Sequence, residues 1–187
     1  MSAPASLQGH RVLLCVCGGI AAYKAAATVR RLQDAGAQVQ VAMTEAAQQF
    51  IGVATFQALS GHPVRTSLWD AAAEAAMGHI ELARWPTRIL VAPATANTLA
   101  KLAHGLADDL VSTLCLATDA PLAVAPAMNR LMWSHPATQA NLATLRGRGV
   151  DVIDPDAGSQ ACGEVGEGRL PEPEALVAAL AALHARA

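Results

Sequence analysis

The chain is poor in aromatic residues and has no excess of positive charge. Phe, Trp and Tyr make up only 3% of its 187 residues, and the formal net charge at pH 7 is -2. Proteins that bind nucleic acids use clustered Lys and Arg side chains for the phosphates and aromatic rings for stacking on the bases. These two deficits argue against a nucleic-acid-binding function.

Signals for export or membrane insertion are also missing. Residues 1–10 carry neither the basic stretch nor the apolar stretch of a signal peptide. Apolar runs elsewhere are interrupted by polar residues well before the ~18 residues that a membrane-spanning helix needs. We therefore expect a soluble, cytoplasmic protein that does not bind membranes.

The sequence also lacks the usual spacings of metal and nucleotide sites. Its four cysteines are Cys15, Cys17, Cys115 and Cys162, and none belongs to a CxxC pair. The six histidines show no spacing typical of metal ligands, and there is no GxGxxG, P-loop, GxSxG or HExxH motif. We expect no metal site, and we expect all of these cysteines except Cys162 to be buried structural thiols.

What the chain does contain is the pattern of a strand, a helix and a second strand. A hydrophobic fraction of 53% is ample for one core. Arg11–Val16 is an apolar run that ends at a Gly-Gly turn, an Ala-rich segment then ends near Gly36, and Gln38–Met43 alternates like a strand. A strand, a helix and a strand within about 30 residues form a βαβ unit, which requires a parallel sheet.

This alternation continues to the end of the chain. Further strands are predicted at residues 88–92, 122–125 and 150–153, and further helices at 45–60, 71–84, 95–104, after Pro126 and at 173–185. We expect a single-domain doubly wound α/β fold, Rossmann-like or flavodoxin-like, with helices on both faces of a parallel sheet. The domain covers residues 1–187, of which residues 1–8 are expected to be a flexible N-terminus.

Ligands of such sheets bind beyond the carboxyl ends of the strands. Four loops lie there: Cys17–Ile20, Met43–Glu45, Pro93–Thr98 and Pro126–Trp133. The glycines of the first loop let backbone N–H groups approach an anion. The hydroxyls and the amide of the third loop suit phosphate binding and helix capping about equally. In the fourth loop, Asn129 between two methionines suits an apolar ring with one polar contact.

Two further residues have both an ordinary and a functional interpretation. Cys162 lies in the glycine-rich segment Gly158–Pro173, where glycines permit unusual backbone conformations and close approach to a ligand. It is either a structural loop residue or a weak acid that a mobile flap carries over a substrate. His79, beside apolar residues, is either an ordinary core or surface histidine or a general base.

Five segments, taken in order, resemble those of the homo-oligomeric flavin-containing cysteine decarboxylases. They are GGIAAYK (18–24), GHIELARW (78–85), APATANT (92–98), PAMNRLMW (126–133) and ACGEVGEGRLPEP (161–173). Each segment is modest alone, but the set in this order is highly specific, and the resemblance covers about residues 9–174. Within the family it is strongest for members that decarboxylate 4′-phospho-N-pantothenoylcysteine in coenzyme A biosynthesis.

The resemblance implies FMN as the cofactor and gives roles to individual residues. It implies that His79 is the catalytic histidine, that Asn129 holds the substrate and that Cys162, on a substrate-covering flap of about residues 158–171, donates a proton. Contacts to FMN are implied for Gly18, Gly19, Ile20, Thr44, Thr95, Ala96, Asn97, Thr98 and Ala127, and contacts to the substrate for Asn129, Arg84, Met132 and Ala161. Arg84 matches a basic residue near the substrate carboxylate.

The same resemblance implies the chemistry and the assembly. The flavin oxidises the substrate to a thioaldehyde, CO₂ leaves, and the product is reduced again with Cys162 as the proton donor. The protein is implied to assemble as a trimer or a multiple of trimers, with FMN at a subunit interface. The chain departs from the family pattern at Cys17, where relatives usually carry serine, which affects one hydroxyl contact to FMN and not the whole site.

Two other functions stay open within the same family. One is oxidative decarboxylation of a C-terminal peptidyl cysteine, whose enzymes release the enethiol and lack the returning proton donor. The other is a non-catalytic role as the flavin-binding regulatory subunit of a phosphatase complex. The presence of Cys162 argues against the first. Regulatory subunits typically have a long acidic tail or have lost a catalytic residue, and this chain shows neither feature, which argues against the second.

Overall fold

The computed structural model describes residues 6–70 and 78–185. A sheet of five parallel strands lies at its centre, in the order β2-β1-β3-β4-β5. The strands are β1 (Arg11–Val16), β2 (Gln38–Met43), β3 (Arg88–Ala94), β4 (Leu122–Pro126) and β5 (Asp151–Val152). The strand order reverses between β1 and β3, which is the switch point where ligands of such sheets bind.

The helices of the described residues confirm the predicted helical segments, with shifted ends. They are α1 (Ala22–Asp34), α2 (Val53–Ser60), α3 (Gly78–Arg84), α4 (Ala96–His104), α5 (Leu110–Leu116), α6 (Arg130–Ser134), α7 (Pro136–Gly147) and α8 (Pro173–His184). A 3₁₀ helix, Glu45–Gln49, precedes α2. Residues 71–77 of the helix predicted at 71–84 lie outside the described residues.

Both faces of the sheet are covered, as a doubly wound fold requires. Successive side chains of a strand point to opposite faces. Val12 of β1 therefore joins a core cluster with Leu32 of α1 and Leu176 of α8. Its neighbour Leu13 joins a second cluster with Leu142 of α7. The central strand β3 is buried along its whole length, and its sequence after Arg88 is an unbroken apolar run.

One residue of the predicted flexible N-terminus, Leu7, is fixed by packing and by a hydrogen bond. Leu7 is fully buried in the core cluster that contains α1, and its backbone N–H donates to the carbonyl oxygen of Ala35 at 2.8 Å. Residues 1–5 lie outside the described residues. The prediction of a flexible segment through residue 8 is therefore wrong at Leu7, because burial of this apolar side chain is favourable in free energy relative to its exposure to solvent.

The glycine-rich segment near the C-terminus is a β-hairpin and not an irregular loop. Strand β6 (Asp156–Ser159) pairs antiparallel with β7 (Val165–Arg169), and together they form a separate two-stranded sheet. We call residues 156–169 the hairpin. The tip of the hairpin carries Cys162, and the hairpin lies at the carboxyl end of the main sheet. Among the described residues, no helix is long and apolar enough to cross a membrane.

Candidate active site

A cavity of about 1080 Å³ opens at the carboxyl ends of the strands, under the hairpin. All four predicted loops contribute to its wall. The predicted site residues that line it are Gly18, Gly19, Ile20, Thr44, Thr95, Ala96, Asn97, Thr98, Ala127, Asn129, Met132, Ala161 and Cys162. The fold therefore brings together most of the residues that the sequence singled out, although they lie far apart along the chain.

The Gly-Gly turn after β1 is packed tightly against the segment after β2. A Cβ atom at Gly18 would lie 2.5 Å from the Cβ of Ala46, a distance that real side chains do not reach. A Cβ at Gly19 would meet nothing within 4 Å. Gly18 is thus required for the close approach of two loops, while Gly19 leaves an open cavity wall at the N-terminal end of α1.

Cys17 lies behind this turn and is only 1% exposed. Its Sγ accepts a hydrogen bond of 3.2 Å from the hydroxyl of Thr98, whose Oγ1 is in turn 3.1 Å from Oγ1 of Thr95. Burial raises the pKa of Cys17 to about 12, against a lowering by the Thr98 hydrogen bond. The thiol is neutral at physiological pH and supports the two threonines from behind, and it does not form part of the cavity wall.

Threonine hydroxyls serve as helix caps in two of the predicted loops. Oγ1 of Thr95 accepts a hydrogen bond from the backbone N–H of Thr98 at 3.2 Å, and Oγ1 of Thr44 accepts one from Ala47 at the same distance. The capping interpretation of the third loop is therefore confirmed at Thr95, and Thr44 forms a cap that the sequence did not predict. Both side chains also line the cavity, so capping holds them where a ligand can reach them.

Lys101 forms an ion-pair cluster on the cavity wall that the sequence did not reveal. Its ammonium group lies 2.7 Å from a carboxylate oxygen of Asp108 and 2.7 Å from one of Asp109. Burial opposes ionisation of Asp109, but hydrogen bonds from Lys101 and Ser112 outweigh it and hold the pKa of that carboxyl below its usual value. The signal missed in the sequence was the spacing of Lys101 from Asp108 and Asp109 across the end of α4.

Asn129 is the polar group of the fourth loop, at the N-terminus of α6. Its Oδ1 accepts a hydrogen bond of 2.8 Å from the backbone N–H of Leu131, which fixes the orientation of the amide. Its Nδ2 donates to Oε2 of Glu164 at 2.5 Å and lies 3.5 Å from the Sγ of Cys162. The cap thus turns the donor end of the side chain toward the tip of the hairpin.

The thiol of Cys162 is exposed and surrounded by hydrogen-bonding groups. Sγ lies 3.7 Å from Oε2 of Glu164 and 3.9 Å from Oε1 of Gln160. The hydrogen bond from Asn129 holds the pKa of Glu164 below its usual value; burial opposes this lowering, and the charge of Arg130 adds to it. An ionised carboxylate therefore accepts hydrogen bonds from both the amide and the thiol.

Contacts from the fourth loop and α6 hold the hairpin over the cavity. The backbone N–H of Met128 donates to the carbonyl oxygen of Gly168 at 2.9 Å. Nε2 of Gln160 donates to the carbonyl oxygen of Met128 at 3.2 Å, and Nε1 of Trp133 donates to Oε2 of Glu167 at 3.0 Å. The position of Cys162 is set by these contacts, which join residues distant in sequence.

Two predicted residues lie elsewhere. As far as the described residues define the cavity, His79 and Arg84 of α3 are not part of its wall. His79 is half-buried and Arg84 is exposed. A single copy of the chain thus brings Asn129 and Cys162 together but does not add His79 to them.

Known proteins resemble this chain in sequence and in structure. A family model described as Flavoprotein matches residues 1–184. The coenzyme A biosynthesis bifunctional protein CoaBC of Vibrio vulnificus (strain YJ016) is 58% identical over 173 residues, which are 92% of this chain and 43% of that protein. The chain therefore spans less than half the length of this curated relative.

Two solved structures match nearly the whole fold. One is a PPC decarboxylase, a cysteine-to-serine mutant complexed with pantothenoylaminoethenethiol, with a TM-score of 0.80, 32% identity and coverage of 95% of this chain and 99% of that one. The other is the FMN-dependent cysteine decarboxylase SpaF, with a TM-score of 0.78, 30% identity and coverage of 95% and 99%. The chain belongs to the Flavoprotein family, in the group that contains the FMN-dependent cysteine decarboxylases.

Proposed function

We propose that this chain catalyses the FMN-dependent decarboxylation of 4′-phospho-N-pantothenoylcysteine to 4′-phosphopantetheine, in the cytoplasm and as a step of coenzyme A biosynthesis. The observation that carries the proposal is the pair formed by Asn129 and Cys162, with 3.5 Å between Nδ2 and Sγ at the edge of the cavity. The likeness to CoaBC and to a PPC decarboxylase supports it. The proposal concerns the decarboxylation alone.

The cavity wall suits FMN. Its polar part includes the Gly18–Gly19 turn and Thr95 and Asn97 at the N-terminus of α4, which together can bind a phosphate. Its apolar part includes Met128 and Met132, which can cover a ring system. The volume of about 1080 Å³ slightly exceeds the usual range for small-molecule sites and leaves room for a substrate beside a cofactor. Bound FMN would take up the two electrons of substrate oxidation, which gives the C=S group that loss of CO₂ requires, and would return them to the product.

Asn129 and Cys162 have separate tasks in this proposal. The amide of Asn129 donates a hydrogen bond to the substrate carboxylate and orients it for departure. Loss of CO₂ leaves an enethiolate on the substrate, and the thiol of Cys162 protonates it. A thiol is acidic enough to deliver this proton near neutral pH, whereas an alcohol is not. The glycine-rich hairpin places that acid above the cavity.

His79 is proposed to reach the site from a neighbouring copy of the chain. Its role is to assist deprotonation of the substrate thiol. Arg84 is proposed to come from the same neighbouring copy and to lie near the substrate carboxylate. The absence of both from the cavity wall defined by the described residues supports a site completed between copies. So do the exposed apolar side chains at the cavity rim, Ile20 at 63% and Met132 at 49%. We propose a trimer or a multiple of trimers.

One experiment tests the reaction. Purified protein is denatured to release the cofactor for chromatography, and the intact protein is incubated with 4′-phospho-N-pantothenoylcysteine and, separately, with a peptide ending in cysteine. We expect FMN, and loss of CO₂ from the first substrate with a product at the thiol level. The serine analogue of the substrate is the control and should not react. Release of a dinucleotide, or turnover of the peptide alone, contradicts the proposal.

A second experiment tests the shared site. His79→Asn and Cys162→Ser variants are each expected to form no 4′-phosphopantetheine. When the two are co-expressed as mixed oligomers, about one quarter of the interfaces combine an intact His79 with an intact Cys162, so activity should return to about that fraction. Mixed oligomers without any activity contradict a site built from two copies.

A further inference from the structure

The carboxylate of Glu164 bridges two donors on α6. Oε2 accepts a hydrogen bond from Nδ2 of Asn129 at 2.5 Å, and Oε1 lies 3.2 Å from Nη2 of Arg130. One oxygen thus contacts an amide that lines the cavity, and the other contacts a guanidinium beside it. Such a pair of donors, one for each oxygen, is a carboxylate-binding arrangement. In this structure the carboxylate comes from the protein itself.

The amide nitrogen of Asn129 has no spare hydrogen for a ligand in the cavity. An amide nitrogen carries two hydrogens, and its oxygen is an acceptor only. Here Oδ1 is used by the backbone N–H of Leu131, and Nδ2 is used by Glu164 and by the Sγ of Cys162. A ligand carboxylate can therefore bind Asn129 only by replacing one of these partners, and Glu164 is the partner of the same chemical type.

We propose that Glu164 is an internal competitor for the substrate carboxylate: its own carboxylate holds the amide nitrogen of Asn129 until a ligand carboxylate replaces it. This inference rests on the proposed function, which brings a carboxylate to Asn129. It makes Glu164 a residue that determines specificity through Asn129, because only ligands with a carboxylate exchange with it.

The surroundings of Glu164 allow this exchange without loss of the hairpin. Its side chain is 35% exposed, and Arg130 continues to hold Oε1 when Oε2 leaves Asn129. The hairpin keeps its other attachments, from Trp133 to Glu167 and from Met128 to Gly168. Glu164 can therefore move between Asn129 and solvent while the hairpin stays over the cavity.

The competition affects the substrate and the product of the reaction differently. The substrate carries the carboxylate, and the product has lost it as CO₂. Glu164 opposes binding of the substrate and does not oppose binding of the product through Asn129. Once CO₂ has left, no ligand carboxylate remains to hold Asn129, so Glu164 returns to it.

The test compares two ligands on the FMN-loaded protein by isothermal titration calorimetry. The first is the alanine analogue of the substrate, which keeps the carboxylate and cannot react because it has no thiol. The second is 4′-phosphopantetheine, which has no carboxylate. Glu164→Gln removes the charge and keeps the side-chain shape. We expect it to tighten binding of the first ligand by on the order of threefold to tenfold and to leave binding of the second unchanged.

Glu167→Gln is the matched control, since Glu167 lies on the same hairpin and accepts its hydrogen bond from Trp133 and not from Asn129. It should leave the ratio of the two affinities as in the wild type. Equal changes for both ligands in Glu164→Gln, or weaker binding of the alanine analogue, overturn the inference and assign Glu164 to hairpin docking.

If the wild-type protein binds neither ligand, the proposed function is contradicted and this inference is not. Acetate is the separate probe of the competition at Asn129. In ¹⁵N-labelled protein, acetate should shift the side-chain amide resonances of Asn129 at lower concentration in Glu164→Gln than in the wild type. Equal acetate midpoints in the two proteins overturn the competition.

Discussion

The ammonium group of Lys24 lies 2.7 Å from Oε1 of Glu172, although 148 residues separate the two in sequence. Lys24 is only 7% exposed and also donates a hydrogen bond of 2.8 Å to the carbonyl oxygen of Leu170. The hydrogen bond and charge of Lys24 hold the pKa of Glu172 below its usual value. One side chain of α1 thus fixes the segment that joins the hairpin to α8.

Replacing Lys24 by Met is expected to lower the free energy of unfolding by about 1–3 kcal/mol, because the carbonyl of Leu170 is left buried without a partner. Chemical denaturation measures this. Arg31→Met is the control on the same helix: Arg31 pairs with Glu174 of α8 at 2.8 Å, but both side chains are more than half exposed. An exposed pair contributes less than about 1 kcal/mol. Equal losses in both variants would contradict the role given to Lys24.

Cys162→Ser is expected to separate the two halves of the reaction. In the proposed reaction, CO₂ loss depends on the cofactor and on Asn129, which this change leaves in place. The final protonation fails, because a serine hydroxyl is far too weak an acid. Mass spectrometry should show an enethiol that is two hydrogens lighter than 4′-phosphopantetheine, and the absorbance of oxidised flavin should fall. Cys115→Ala, away from the cavity wall, should form the normal product. Normal product from Cys162→Ser would rule out the proton-donor role.

Gly168→Ala is expected to abolish product formation while the main sheet stays folded. Gly168 has a φ of 124°, and a Cβ there would overlap the carbonyl oxygen of Met128, so the hairpin must leave its place. Gly163→Ala is the control, since Gly163 also has a positive φ, of 84°, but a Cβ there would meet nothing within 4 Å. Limited proteolysis should cut the hairpin faster in Gly168→Ala alone. Equal cleavage rates would show that backbone strain, and not the overlap, controls the hairpin.

The stability of the protein is expected to depend on pH through His184. Burial, with smaller effects of the stacked ring of His10 and of Arg88, lowers the pKa of His184 from 6.5 to about 4. Between these two values the unfolded chain takes up a proton that the folded chain does not, so stability falls as the pH decreases from 6.5 to 4. His184→Gln should make the melting temperature less steeply dependent on pH in this interval. An unchanged slope would show that His184 is not responsible.

The strands and the loops that line the cavity were predictable because their signals are local. The apolar run of β3 and the alternation of β2 are typical of strands in a parallel sheet, and the fold class was confirmed. The rule that ligands bind at the carboxyl ends of the strands selected the loops with Thr95 and Asn129 before any geometry was known. Both residues line the cavity.

The hairpin and the buried lysine were not predictable in the same way, since their stability depends on distant partners. Strand β6 contains a glycine and is mostly exposed, so its sequence lacks the pattern of a strand. It is held by contacts such as that of Trp133 with Glu167. Lys24 looks like a surface residue of α1 until α8 brings Glu172 to it. Local patterns cannot show which distant groups will meet.

The packing of α8 against α1 has a consequence for the order of folding during synthesis on the ribosome. Leu32 of α1 shares its core cluster with Leu176 and Leu180, which are translated more than 140 positions later. The face of the sheet that α8 covers therefore remains exposed to solvent while the strands emerge. A nascent chain arrested before α8 exposes an apolar surface that chaperones and proteases recognise. Emergence of α8, and not that of the sheet, is the step that closes this core.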